Sequence, residues 1–144
     1  MATILQAHEE NSIKEAIKNA ELNTDGEIRV CIEKYCSEDP LHRAAYYFEK
    51  LEMHKTDNRN GVLIYLAAKS RKLAIIADKG INNLVDVATW NRIKDDMIEK
   101  IKAAGLVIGI IKGIENAGKV LSIHFPKTES NINELSDDVH IEEN

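Results

Sequence analysis

The chain has 144 residues, 30% charged and 44% hydrophobic, which suits one domain with its own core. Its net charge of −5 lies in residues 127–144, which hold one lysine and six acids, while residues 1–126 balance 18 basic against 18 acidic side chains. No Lys/Arg stripe with interleaved aromatics is present, which excludes an obvious nucleic-acid surface. Two cysteines do not make a disulfide framework, so the chain reads as cytoplasmic.

The opening "MATILQAHEENS" has neither a basic n-region nor an apolar stretch of signal-peptide length. Ser12-Ile-Lys-Glu15 has capping-box spacing, and Ile13, Ala16, Ile17 and Ala20 follow at helical intervals, predicting a first helix. "TDG" (Thr24 to Gly26) breaks it. "EIRVCIEKY" then alternates strictly, with Ile28, Val30 and Ile32 on one side and Glu27, Arg29, Cys31 and Glu33 on the other. That pattern predicts a strand with a polar face, near a sheet edge.

Asp39-Pro40 starts a second helix, the aspartate as N-cap and the proline in the first turn. Its buried stripe is expected to be Leu41, Ala44, Ala45, Phe48 and Leu51. "GVLIYLAA" (Gly61 to Ala68) reads as a central strand covered on both faces, and "LAIIAD" (Leu73 to Asp78) as its antiparallel hairpin partner. "KGINN" is a loop with at most a short helical turn. Asp86 caps a helix carrying Trp90, Ile93, Met97, Ile98 and Ile101, and a last helix carries Leu106 to Leu121.

Glycines 105, 109 and 113 leave one face of that last helix without side chains. Each costs ~1 kcal/mol against alanine inside a helix, so a neighbour must pack closely there. The longest apolar window, Ala103 to Ile111, has nine residues between two lysines. A bilayer requires ~20, so no membrane span is expected. Pro126 ends the helix. The acidic segment after it is either disordered or, through "LSDDVHIE", an extra edge strand.

The order α-β-α-β-β-α-α predicts an α/β fold. It is a three-layer α/β/α sandwich, a small mixed sheet of three or four strands flanked by helices. The expected organisation is a single domain over 1–126 followed by an acidic C-terminal tail over 127–144.

Catalytic templates are absent. There is no G-x-S-x-G and no H-E-x-x-H. Six residues separate Cys36 from Arg43, where a cysteine-phosphatase loop needs five. Gly113-x4-Gly118-Lys119 imitates a P-loop, but Val120 stands where Mg²⁺ needs a hydroxyl. Cys31, Cys36, His42 and His54 lack the tight paired spacing of a zinc site. "TDNRNG" (Thr56 to Gly61) imitates half an EF-hand; with Gly61 at loop position 6, the end positions fall on Thr56 and Ala67, neither a carboxylate.

Topology gathers what motifs do not. In a βαβ crossover two parallel strands start at the same end, and an antiparallel hairpin partner finishes there. This brings Asp25 and Glu27, then Asp57, Asn58 and Asn60, then Asp78 to one end of the sheet, with Asp86 able to fold back over it. Clustered carboxylates with amide and backbone oxygens suit a hard cation, Ca²⁺ or Mg²⁺, more than zinc. The candidate metal ligands are Glu27, Asp57, Asn60, Asp78 and Asp86. Asp, Asn and Gly also collect at strand ends simply because they make turns.

"TDGEIRVCIE", "YYFEKLEM" and "RNGVLIYLAAKSRKLAIIADKGI", in this order and spacing, resemble the TPM-domain family, over roughly residues 8–125. The "DKGI" turn suits its stand-alone bacterial members. The resemblance implies a Rossmann-like α/β/α sandwich. It also implies divalent-cation binding, often Ca²⁺, at an acidic sheet end, and acid phosphatase activity as found in some members. Asp57 and Asn60 fall in the segment before N-G-V-L, and Asp86 on an acidic position of the later loop. Asp78 occupies a place that is often glycine in the broader family. Many members carry a signal peptide and a C-terminal transmembrane segment; neither is visible here.

Three functions follow as expectations. The first is a module binding Ca²⁺ or Mg²⁺ at the sheet end. A metal-dependent acid phosphatase is the second, in which Arg59, Lys79 or Arg29 is the available cation. The third is an interaction module whose acidic tail binds an unknown protein partner or docks on its own domain.

Overall fold

The computed structural model describes residues 4–129 and 134–143. Helix α1 (Ala7–Glu21) precedes β1 (Glu27–Glu33), α2 (Pro40–Lys50) and the hairpin β2 (Gly61–Ala67) and β3 (Lys72–Ala77). After them come α3 (Lys79–Asn82), α4 (Val87–Ala104), α5 (Leu106–His124) and β4 (His140–Glu142). The described strands form a mixed sheet in the order β3-β2-β1-β4. Strand β1 is parallel to β2 and β4, and β2 is antiparallel to β3.

The strand period of two splits the interior. Ile28, Val30, Ile32, Val62, Ile64 and Leu66 face α1, α4 and α5 in one apolar cluster. Cys31, Leu63, Tyr65 and Ala67 face Ala44 and Tyr47 of α2 in the other. The predicted three-layer α/β/α sandwich is therefore the observed one. β2 is buried along its whole length, as its apolar run requires.

Local signals mostly hold. Asp39 caps α2 through the Leu41 N–H, and Asp86 caps α4 through the Thr89 N–H. Helix α1 starts earlier than Ser12. Gln6 is its N-cap, with the Glu9 carboxylate reaching back to the Gln6 N–H, while the Ser12 hydroxyl bonds the His8 carbonyl inside the helix. On α2 the buried face centres on Ala44 and Tyr47, leaving Leu41 and Ala45 exposed. "KGINN" is helical over its first four residues.

Gly105 is not inside a helix: with φ 98° it is the corner between α4 and α5. Gly109 and Gly113 do lie in α5, and a β-carbon there would overlap Ile101 and Met97 of α4. The bare helix face is thus filled by the neighbouring helix. Among the described residues, no helix is long and apolar enough to cross a membrane.

The polar side of β1 is not open to solvent. Glu27 and Glu33 are both buried, beneath α2 and residues 134–142. Alternation reveals which residues share a face, but not what later covers it. At the finishing end of β1, Glu33 accepts a two-point interaction from Arg43 and hydrogen bonds from the Tyr47 and Tyr65 hydroxyls. Burial alone would raise its pKa; these donors outweigh it and hold the carboxyl below the usual range.

Arg43→Ala would strand that carboxylate and cost about 3 kcal/mol, whereas Tyr65→Phe would cost about 1–2. Urea denaturation of both variants at pH 7 measures the difference. Gly80→Ala should destabilise by about 2 kcal/mol, because its β-carbon would overlap the backbone carbonyls of Asn58 and Arg59. The same denaturation curves report it.

Candidate functional site

Register decides what meets at the opposite end of the sheet. Glu27 is opposite Gly61 and Val62 opposite Ala77, so β1 and β2 start where β3 finishes. Backbone bonds tie the three polar segments together. The Glu27 N–H donates to the Asn60 carbonyl (3.2 Å), the Asp78 N–H to the Gly61 carbonyl (2.9 Å), and the Gly80 N–H to the Arg59 carbonyl (3.0 Å).

The five expected ligands have different surroundings. Glu27 is 2% exposed. Its Oε1 accepts from the Leu135 N–H, and its Oε2 is buried with no hydrogen-bond partner of ordinary geometry among the described residues. Asn60, also 2% exposed, donates its N–H to the Thr56 hydroxyl oxygen and its Nδ2 to the Asp25 carbonyl. That donation fixes which amide atom is oxygen, and Oδ1 is likewise buried without a donor among the described residues. Two acceptor oxygens thus stand unsatisfied at neighbouring strand starts, where burial makes the lack costly.

Asp57 is exposed, and its N–H donates to Glu134 Oε2 (3.2 Å). Asp78 is already neutralised: Arg59 grips both its oxygens at 2.8 and 2.9 Å, and Oδ1 also caps α3 through the Lys79 N–H. Asp86 is occupied in capping α4, with the Thr89 N–H and hydroxyl on Oδ1. The structure therefore brings together the segments of Glu27, Asp57, Asn60 and Asp78, and employs Asp86 at a helix start.

Residues from the C-terminal segment join this end. Thr128 binds the Asp25 carboxylate through its N–H and its hydroxyl, holding that carboxyl below its ordinary pKa. Leu135 packs into the α2-side cluster, so Glu134 and Asp137 arrive beside Glu27. Glu21, at the end of α1, accepts from the Ile28 N–H and lies against Asp137. None of Glu21, Glu134 and Asp137 was a predicted ligand. The acidity of the tail was the visible signal, but not where it would land. Residues 130–133 and 144 of that tail lie outside the described residues.

Like charges and burial act together here. Burial, followed by the Glu134 charge, raises the Glu27 pKa to about 7, with the Leu135 N–H opposing. Burial and the hydrogen bond with Asp137 push Glu21 up to about 9. A hard cation relieves the first of these costs by supplying positive charge to an orphaned oxygen. Among the described residues, no three His, Cys, Asp or Glu side chains converge closely enough to hold a metal ion by themselves. A bound cation would then rest on Glu27 with amide, backbone or water oxygens, the arrangement Mg²⁺ accepts most readily.

Comparison with known proteins places this geometry in a family. The TPM-domain family model matches residues 1–120. The BA42 protein of the psychrophilic bacterium Bizionia argentinensis is 37% identical, covering 99% of this chain and 98% of that one, with a TM-score of 0.91. The N-terminal domain of the cg2496 protein of Corynebacterium glutamicum is 13% identical with a TM-score of 0.66, covering 90% of this chain and 80% of that one. An N-terminal domain of a P. gingivalis protein is 16% identical at 0.68, covering 85% and 79%. These last two share the fold. Comparison with curated proteins returned no match. With its family model spanning most of its length and its fold superposing on that of BA42, the chain belongs to the TPM-domain family.

Proposed function

We propose that this domain binds a divalent cation, Ca²⁺ or Mg²⁺, at the end of the sheet where β1 and β2 start. The observation that carries the reading is Glu27 Oε2, a buried carboxylate oxygen with no hydrogen-bond partner among the described residues. Asn60 Oδ1 is a second such oxygen on the adjoining strand start. Glu134, joined to the Asp57 N–H, supplies further negative charge at the mouth. Asp78 enters the shell only by exchanging Arg59 for the ion, and Asp86 orders the start of α4 beside it.

The phosphatase alternative has less support. Arg59, the cation best placed to hold a phosphate, is committed to Asp78, and no activated nucleophile accompanies it.

Metal and proton compete for Glu27. Below a pKa of about 7 the ion must displace a proton, so affinity should climb as pH rises through 7 and level off above it. An NMR titration with Ca²⁺ and with Mg²⁺ at pH 6 and pH 8 checks this. Shifts at Glu27, Asn60 and Leu135 that vanish in Glu27→Gln are expected; silence at millimolar metal would sink the proposal.

Without metal the same carboxyl sets a pH dependence. Its folded pKa, about 7, lies above the ordinary 4.5, so the folded state holds a proton there that the unfolded state has released. Stability therefore falls as pH rises from 4.5 to 7, by about 3 kcal/mol once Glu27 is ionised. Glu27→Gln should be more stable than the parent at pH 8 and little different at pH 4.5, as read from thermal melts at the two values.

A further inference from the structure

The sheet has two edges, and the chain treats them differently. Beyond β1 the chain adds its own acidic strand, β4. Beyond β3 nothing is added: among the described residues its only strand neighbour is β2. A row of backbone donors and acceptors is left facing outward, closed at one end by Asn82, whose amide caps the Ala77 carbonyl (3.0 Å).

Two adjoining grooves follow this edge, of about 740 and 770 Å³, sharing Pro40, Leu73 and Lys94. The groove at the Lys72 end has an apolar floor of Leu73, Ile98 and Ile101. Its charged lining is entirely cationic: Arg71, Lys72, Lys94 and Lys102, with no acidic residue among them. No salt bridge engages these four among the described residues; Lys72 reaches only the Glu38 carbonyl. The other groove runs between α2 and α4, where Leu41 and Val87 stand 55% and 73% exposed. Trp90, the single tryptophan, lines it, and its indole N–H has no acceptor among the described residues.

We propose that the β3 edge is a docking site for an extended acidic peptide segment of a partner protein, which adds to the sheet as a fifth strand. Backbone pairing supplies the hydrogen bonds, the apolar floor takes alternate side chains, and the cationic end takes the peptide's carboxylates. An antiparallel peptide runs from Ala77 towards Lys72, so its acidic residues lie at its C-terminal end. An acyl chain would leave the edge amides and carbonyls unpaired. A second copy, paired antiparallel about a twofold axis, would set Lys94 at the groove centre against its own mate.

The test uses the full chain and two synthetic octapeptides of alternating valine and threonine, one ending in two glutamates and one in two lysines. Trp90 fluorescence and amide exchange over residues 72–77 are the readouts. The glutamate peptide should change the fluorescence, protect those amides and bind more weakly as salt rises. Its affinity should exceed that of the lysine peptide by about tenfold or more. The double variant Lys94→Glu with Lys102→Glu leaves Arg71 and Lys72 balanced by two glutamates and should abolish the preference. Equal binding of both peptides overturns the proposal. So does protection confined to β1 and β4, no response at millimolar peptide, a groove filled by dodecanoate but not by peptide, or a dimer in sedimentation that closes the edge.

Discussion

Strand β1 buries a carboxylate at each of its ends on the side facing α2, and much of the surrounding structure answers to that. A buried charge must be paired, hydrogen-bonded or neutralised. At the finishing end, Glu33 meets all its needs within the fold, from Arg43 and two tyrosine hydroxyls. At the starting end, Glu27 is met by backbone N–H groups of Leu135 and Glu134 alone, and its Oε2 has no hydrogen-bond partner of ordinary geometry among the described residues. The first arrangement locks α2 to the sheet. The second leaves an electrostatic demand that a proton meets in acid and a cation can meet near neutrality.

The C-terminal segment sharpens that demand. Its Leu135 side chain is drawn to the α2-side cluster by apolar burial, and its N–H then falls on Glu27. The same docking carries Glu134 and Asp137 towards a carboxylate already short of donors. Hydrophobic contact and like-charge repulsion thus meet in one short segment.

Much of the framework was legible because its signals are local. The unbroken apolar run of β2 marks a strand covered on both sides, Asp39-Pro40 and Asp86 mark helix starts, and the bare face of α5 announces a close neighbour. The convergence of Glu27, Asn60 and Asp78 was also legible, because parallel pairing with a hairpin allows only one arrangement of strand ends. Less local facts were hidden. The side chains of Arg59 and Asp78, 19 residues apart, meet across the sheet end, and nothing in either neighbourhood announces the pair. Tyr47 stands outside the stripe that spacing picks for α2, yet it is buried and its hydroxyl is spent on Glu33. The alternation of β1 likewise separated its two faces without showing that both would be covered.

By itself the sequence determined the elements, their order, the α/β class and the end of the sheet where acidic and amide residues collect. Those depend on periodicity, caps and strand direction, which act within a few residues or through topology alone. Only the tertiary structure decided which of those oxygens are free. Arg59 occupies Asp78, Thr89 employs Asp86, and the Leu135 N–H goes to Glu27 Oε1, leaving Oε2 without a hydrogen-bond partner among the described residues. Whether a carboxylate is paired, capped or orphaned depends on which atoms meet it in space, and its own position in the chain does not carry that information.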